Sequence, residues 1–136
     1  MSFTGKVLVV DDEAHIRKYI SLVLRSLGAT DIIEADNGVT GFQMFQSEHP
    51  DLVLMDVNMP VQEGIETLRQ IRALDPDAVV IMLTSLATRQ MIEDAAQLGA
   101  TYYLRKDTPR EELTAKLREV LASVFEDDPA APDDAP

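Results

Sequence analysis

Cysteine is absent from this 136-residue chain, which excludes a disulfide framework and any thiolate metal site. Long apolar runs are absent too: the longest are strand-sized, far short of the roughly 20 residues that span a bilayer. The segment Met1 to Lys6 has neither the basic region nor the apolar stretch of an export signal. The sequence therefore reads as a soluble, cytoplasmic protein with no membrane association. Positive charge is scarce, with 12 Lys and Arg against 24 Asp and Glu and a formal net charge of -12. Glu126, Asp127, Asp128, Asp133 and Asp134 carry five of the negative charges, so residues 1–125 still hold -7. Nucleic-acid backbone is bound largely by Lys and Arg that displace counterions. Direct DNA or RNA binding is not expected of so acidic a unit.

What is present is globular: 46% hydrophobic and 26% charged residues, in a length that suits one ordinary domain. Strand-sized and helix-sized segments alternate five times. Val7–Val10 is followed by a helix with Ile16, Ile20, Val23, Leu24 and Leu27 on one stripe, stopped at Gly28. Asp31–Ala35 reads as a short strand, and Asp36-Asn37-Gly38 turns into a helix marked by Phe42 and Phe45. Leu52–Met55 is a third strand, and Met59-Pro60 to Gly64 reads as a loop. The helix after it carries Ile65, Leu68 and Ile71 and closes at Asp75-Pro76. Val79–Leu83 is the fourth strand. Thr88 to Leu98 is helical with a narrow stripe of Met91, Ile92 and Ala95, ended by Gly99. Thr101–Arg105 forms the fifth strand. Thr108-Pro109-Arg110-Glu111 combines a capping box with proline at the first helical position, opening a helix with Leu113, Leu117, Val120, Leu121 and Val124. The alternation calls for an α/β fold, a parallel sheet with helices on both faces. One domain is expected over residues 1–125. Residues 126–136, acidic and rich in Pro and Ala, are expected to be a disordered tail or a linker stub. Met1 suggests a natural start, while the acidic end suits either a stand-alone regulator or a chain cut within a linker.

Chemistry-bearing residues stand where the apolar runs end: Asp11 and Asp12, Asp56, Thr84 and Lys106. In an open α/β sheet the groups just past the carboxyl ends of the strands share one crevice. An oxygen-only set of acids suits a hard cation, Mg²⁺ or in its place Mn²⁺. Crowded carboxylates repel, and a divalent ion relieves that repulsion while leaving Asp56 ionised as a nucleophile. Lys106 and the Thr84 hydroxyl would stabilise the charge of a transferring phosphoryl group. Plainer roles exist for each residue. Asp11-Asp12 suits a helix cap, Asp56 an ordinary loop acid, Thr84 a strand-end hydroxyl and Lys106 a solvated surface cation. Tyr102 and Tyr103 alternate along a strand, so one is buried whatever the function. His15 and His49 read as exposed, non-catalytic residues.

Taken together, Val9-Val10-Asp11-Asp12-Glu13, Met55-Asp56-Val57-Asn58-Met59-Pro60 with Gly64, Leu83-Thr84-Ser85 and Tyr103-Leu104-Arg105-Lys106 resemble the receiver domains of bacterial response regulators. The resemblance runs from residue 6 to about 124. It implies a flavodoxin-like (βα)5 fold, a doubly wound parallel five-stranded sheet in the order 2-1-3-4-5 (a chemotaxis receiver is a standard example of that order). It implies a phosphorylation-activated switch of a two-component system or phosphorelay, not an enzyme acting on an external substrate. Asp56 would accept a phosphoryl group from a sensor histidine kinase or a phosphotransfer protein, and later lose it by autodephosphorylation. Asp12 would bind Mg²⁺ directly, Asp11 through water, Asp56 by a carboxylate oxygen and Asn58 by its backbone carbonyl. Lys106 would pair with the phosphoryl oxygens. Thr84 would move toward the phosphoryl group and Tyr103 would swing inward behind it. The face made by the fourth helix, fifth strand and fifth helix would then change and control a downstream protein.

The chain departs from that pattern at two places. Most such domains have proline after the lysine, joined by a cis peptide; here Asp107 follows Lys106, and a non-proline cis bond costs ~3 kcal/mol. A trans bond or a rearranged loop is therefore expected. Asn58 and Leu86, each two residues past a site residue, stand at positions that in the resembling family flank the path of the hydrolytic water, and apolar Leu86 cannot orient it. A long-lived aspartyl phosphate follows from that. Two rival functions are weaker. An aspartate-nucleophile, Mg²⁺-dependent phosphohydrolase of the haloacid-dehalogenase type would carry a second acid where Asp56-Val57-Asn58 has an amide. A flavin binder would need a Ser/Thr/Gly-rich loop where Asp11-Asp12-Glu13 repels phosphate. A degenerate receiver acting only as a scaffold is a further alternative, supported by Asp107 alone.

Overall fold

Alternation along each strand decides which side of the sheet a residue meets. Val7 and Val9, Leu52 and Leu54, and Ile81 and Leu83 join one apolar cluster; Leu8 and Val10, Val53 and Met55, and Val80 and Met82 join the other. Both sets are buried, so these segments read as unbroken apolar runs, as strands covered on two faces do. The computed structural model describes residues 5–57, 59, 62–85 and 88–126. Its strands are β1 (Lys6–Val10), β2 (Asp31–Ala35), β3 (Leu52–Asp56), β4 (Val80–Thr84) and β5 (Tyr102–Arg105). The helices are α1 (Ala14–Ser26), α2 (Gly38–Glu48), α3 (Gly64–Leu74), α4 (Arg89–Gln97) and α5 (Arg110–Leu121), and α5 runs on into a π-helical turn, Ala122–Glu126.

All pairings are parallel, in the order β2-β1-β3-β4-β5. This is the doubly wound, flavodoxin-like arrangement expected from the sequence. Helices α1 and α5 pack on one face through Ile20, Val23, Leu24, Leu113, Leu117 and Val120. Helices α2, α3 and α4 cover the other through Phe45, Leu68, Ile71 and Ala95. The narrow stripe of α4 buries Ala95 alone, which leaves that helix the least embedded of the five.

Local chemistry sets the helix ends. Gly28, at φ 105, ends α1: its N–H meets the Arg25 carbonyl and the Ala29 N–H meets the Leu24 carbonyl, the paired bonds of a Schellman motif. Asn37 caps α2 by accepting from the Thr40 N–H at 2.9 Å, and Thr88 caps α4 by accepting from Met91 at 3.1 Å. The expected capping box before α5 is not formed. Pro109, with ψ 147, is the cap itself, and no side-chain bond closes it. The Thr108 N–H is committed to the Arg105 carbonyl at 3.2 Å, so the chain finishes a turn before the helix can begin. Gly64, read as the end of a loop, is instead the first residue of α3. Glu126, expected at the start of the tail, belongs to the terminal helical turn, and residues 127–136 lie outside the described residues. Among the described residues no helix is long and apolar enough to cross a membrane.

Candidate functional site

Strand register carries the four motifs to one edge of the sheet. Val10 pairs with Met55, Asp56 with Leu83 and Thr84 with Arg105, so Asp11, Asp56, Thr84 and Lys106 emerge side by side. The bond from the Lys106 N–H to the Thr84 carbonyl, at 2.7 Å, extends that ladder by one residue. Past β1 the chain turns tightly. Asp11 Oδ1 accepts from the Glu13 N–H at 2.9 Å, an Asx turn. Glu13 and not Asp11 or Asp12 is the cap of α1, with no side-chain bond. The capping role is thus excluded for the acid pair.

Asp11 Oδ2 is buried and makes no well-directed hydrogen bond, but the Lys106 ammonium lies 2.6 Å from it as an ion pair. The same nitrogen stands 3.1 Å from Asp56 Oδ2 and 3.8 Å from Glu13 Oε1. With its side chain only 9% exposed, Lys106 is no solvated surface cation. Burial alone would pull its pKa down. The close contact with Asp11 and the charges of Asp56 and Asp11 outweigh that and hold it above 10.5.

Asp11, Asp12 and Asp56 each offer a carboxylate oxygen, all within 4.8 Å of one another. Asp11 and Asp56 are buried while Asp12 is exposed, so the cluster opens to solvent on the Asp12 side. Three carboxylates beside one ammonium leave an excess of negative charge, and the donors are oxygen only. That set fits a hard divalent cation.

Thr84 is fully buried at the end of β4. Tyr103 is half-buried with its hydroxyl shielded from solvent, whereas Tyr102 on the opposite side is exposed. Burial raises the Tyr103 phenol above 10, an effect the Thr84 hydroxyl partly offsets and the Asp56 charge reinforces. The Tyr103 phenol is therefore within reach of both the Thr84 hydroxyl and the Asp56 charge. Asn58 and Leu86 lie outside the described residues. His15 and His49 are both exposed.

The Lys106–Asp107 peptide is trans. Asp107 turns back and accepts from Arg105 Nε at 3.0 Å and Nη2 at 2.9 Å. That pair, through its hydrogen bonding, holds the Asp107 carboxyl below and the Arg105 guanidinium above their usual values. Two further residues shape the site: Gly64, part of the Asp56 motif, and Arg17, which has no simple sequence signature. The Gly64 N–H bonds the Val57 carbonyl at 2.8 Å, and a Cβ on Gly64 would lie 2.1 Å from the Asp56 carbonyl oxygen, so only glycine lets α3 start so close to the site. Arg17 of α1 bonds the Asp11 carbonyl at 2.7 Å and Glu34 of β2 at 2.9 Å.

Comparison with known proteins finds relatives in both sequence and fold. The sequence profile of the response regulator receiver domain matches residues 7–118. The chemotaxis protein CheY of Pseudomonas aeruginosa is 37% identical over 121 residues, 88% of this chain and 98% of that protein. A CheY-like response regulator receiver domain protein from Methanospirillum hungatei superimposes with a TM-score of 0.83 at 25% identity, covering 93% of this chain and all of that one. The CheX-CheY-BeF3-Mg²⁺ complex of Borrelia burgdorferi contains a chain with a TM-score of 0.79 at 30% identity, covering 88% of each.

Proposed function

The chain belongs to the response regulator receiver domain family, and from that premise we propose that it is a switch charged and discharged at Asp56. Chains of this CheY-like kind are signalling modules and do not process an external substrate. The observation that carries the proposal is the Lys106 ammonium, seated at once on Asp11 and Asp56 beside an all-oxygen acid cluster.

An Asp56 carboxylate oxygen attacks phosphorus, and the bond from phosphorus to the donor breaks with its electron pair leaving on the donor. The donor is the phosphohistidine of a sensor kinase or phosphotransfer protein. Asp12, Asp56, Asp11 (through water) and the Asn58 carbonyl would hold Mg²⁺, which would supply neutralisation of charge on the transferring group. The Mg²⁺ in the B. burgdorferi complex supports that choice of ion. Lys106 takes up a phosphoryl oxygen, exchanging one anionic partner for another. Thr84 then hydrogen-bonds the phosphoryl group, and Tyr103, already beside it, follows. Hydrolysis discharges the switch: water attacks phosphorus, the bond to Asp56 breaks with its electron pair returning to the carboxylate, and inorganic phosphate leaves with the protons of the water.

Beside Tyr103 lies a cavity of about 310 Å³ between α4 and β5, lined by Ile92, Ala95, Ala100 and Tyr102 among others. Ile92 and Tyr102 are exposed. We place the docking face for a downstream protein there, on α4, β5 and α5. Driving a two-state element from about 1:99 to 99:1 takes roughly 5.5 kcal/mol. A dianionic group held by an ammonium and a hydroxyl is of that order, since charge-assisted bonds are about twice as strong as neutral ones.

The test is intact-mass measurement after incubation with Mg²⁺ and a small phosphodonor. Wild type should gain one phosphoryl group and Asp56→Asn none; uptake by Asp56→Asn would refute the assignment. At position 86 an apolar side chain cannot orient water, so Leu86→Glu should shorten the lifetime of the phosphorylated form. An unchanged or longer lifetime would contradict this role.

A further inference from the structure

Asp11 has four polar atoms, and three are tied before any cation or phosphoryl group arrives. Its N–H donates to the Ala35 carbonyl of β2 at 3.1 Å. Its Oδ1 accepts from the Glu13 N–H at 2.9 Å. Its carbonyl accepts from Arg17 Nη1 at 2.7 Å. Only Oδ2 is left to face Lys106 and the cleft.

Arg17 is itself held. Its Nε donates to Glu34 Oε1 at 2.9 Å, and its side chain is 18% exposed. Glu34 is the residue next to Ala35 in β2, so the two ties on the Asp11 backbone end on adjacent residues of one strand. The Arg17 N–H also bonds the Glu13 carbonyl at 3.1 Å. Backbone and side chain of one residue thus grip both ends of the Asp11–Glu13 turn.

We propose that Arg17, anchored by Glu34, is the positioning residue of the acidic cleft. It fixes the turn that aims Asp11 and Asp12, and so sets the affinity for a divalent cation. This inference rests on the proposed metal-assisted switch. A lysine at position 17 keeps the charge but, as a single nitrogen, cannot serve a carbonyl and a carboxylate in the forked geometry of a guanidinium.

The experiment is a Mg²⁺ titration of the ¹⁵N-labelled full chain, read from the amide shifts of Asp12 and Glu13, with folding checked by circular dichroism. No phosphodonor is present, so the readout is independent of activity. Arg17→Gln should weaken Mg²⁺ binding on the order of tenfold, the usual scale for outer partners of a metal site. Arg17→Lys and Glu34→Gln should fall between it and wild type. A residue that merely stabilises the fold would lower the melting temperature and leave the affinity of the folded protein unchanged. Unchanged affinity in folded Arg17→Gln overturns the proposal. Should that variant not fold, unchanged affinity in Glu34→Gln overturns it instead. If the wild-type amides ignore Mg²⁺ altogether, the metal reading of the cleft falls too. A cleft that binds in wild type and not in Asp12→Asn shows that reading intact whatever the Arg17 variants do.

Discussion

Lys106 holds the cleft together electrostatically before any ligand arrives. Its ammonium is taken out of water, which is unfavourable, and the nearness of Asp11 and Asp56 reverses the balance. Removing one partner of such an arrangement leaves uncompensated buried charge. Lys106→Met should therefore destabilise the metal-free protein by roughly 1–3 kcal/mol, less than for a sealed ion pair because the Asp12 side is open to solvent. It should also slow phosphoryl uptake on the order of 10²-fold, the typical scale for losing one charge-stabilising donor. Urea unfolding and the time course of mass gain measure the two effects. Far from the site, Lys6 Nζ meets Glu48 at 2.9 Å, joining β1 to the end of α2. That contact lowers the Glu48 pKa from 4.5 and raises that of Lys6 from 10.5, hydrogen bonding being the largest cause of each. The Glu48 part of its stabilisation is present above 4.5 and lost as pH falls through the lowered folded value. The Lys6 part is present below 10.5 and lost as pH rises through the raised folded value. A double-mutant cycle with Lys6→Met and Glu48→Gln should give a small coupling, flat between those limits and vanishing beyond both. Asp56 and Lys106 were legible in the sequence because each stands at the end of a strand-sized run, fully buried for Asp56 and partly exposed for Lys106, and that position sends them to the crevice. Arg17 was not. Its partner Glu34 is 17 residues away in sequence, and no local pattern says that α1 passes over the end of β2.

Whole elements were readable where period and breaker agreed. The five strands came out within a residue or two of their observed limits, since runs such as Val7–Val10 and Val79–Leu83 are too short and too β-branched for buried helices. The start of α5 misled. Thr108 and Glu111 have the spacing of a capping box, but the Arg105–Asp107 pair and the Thr108 bond to the Arg105 carbonyl draw the chain into a turn first. Spacing along the chain carries no information about that competing turn. The start of α3 shows another long-range constraint, for the crowding at Gly64 comes from the Asp56 backbone and not from a neighbour. Gly64→Ala should push α3 away from the end of β3 and cost about 1–3 kcal/mol, as overpacking does. Phosphoryl uptake should slow with it, because the displaced strand end carries Asp56. Thermal unfolding and mass gain check both, and a variant with wild-type stability and uptake would show that the close approach has no consequence.

At the scale of the molecule, the two-sided burial of β1, β3 and β4 gives a closed platform, while the charged cluster is left to one edge. The core is closed on both faces, so the proposed switching would fall to the strand ends, to Tyr103 of the edge strand β5 and to α4, which buries little. Net acidity and the acidic cleft together favour cations and disfavour free anions, and a phosphoryl group enters such a cleft only with a cation to receive it. Covalent charging of Asp56 should therefore depend strictly on the divalent ion. Peptide mapping by mass spectrometry, after treatment with a small phosphodonor with and without Mg²⁺, addresses this most directly. The expected result is one phosphoryl group on the peptide containing Asp56, lost when Mg²⁺ is chelated. A phosphoryl group found elsewhere (on His15 or His49, for instance), or uptake at Asp56 that persists without any divalent ion, would contradict it.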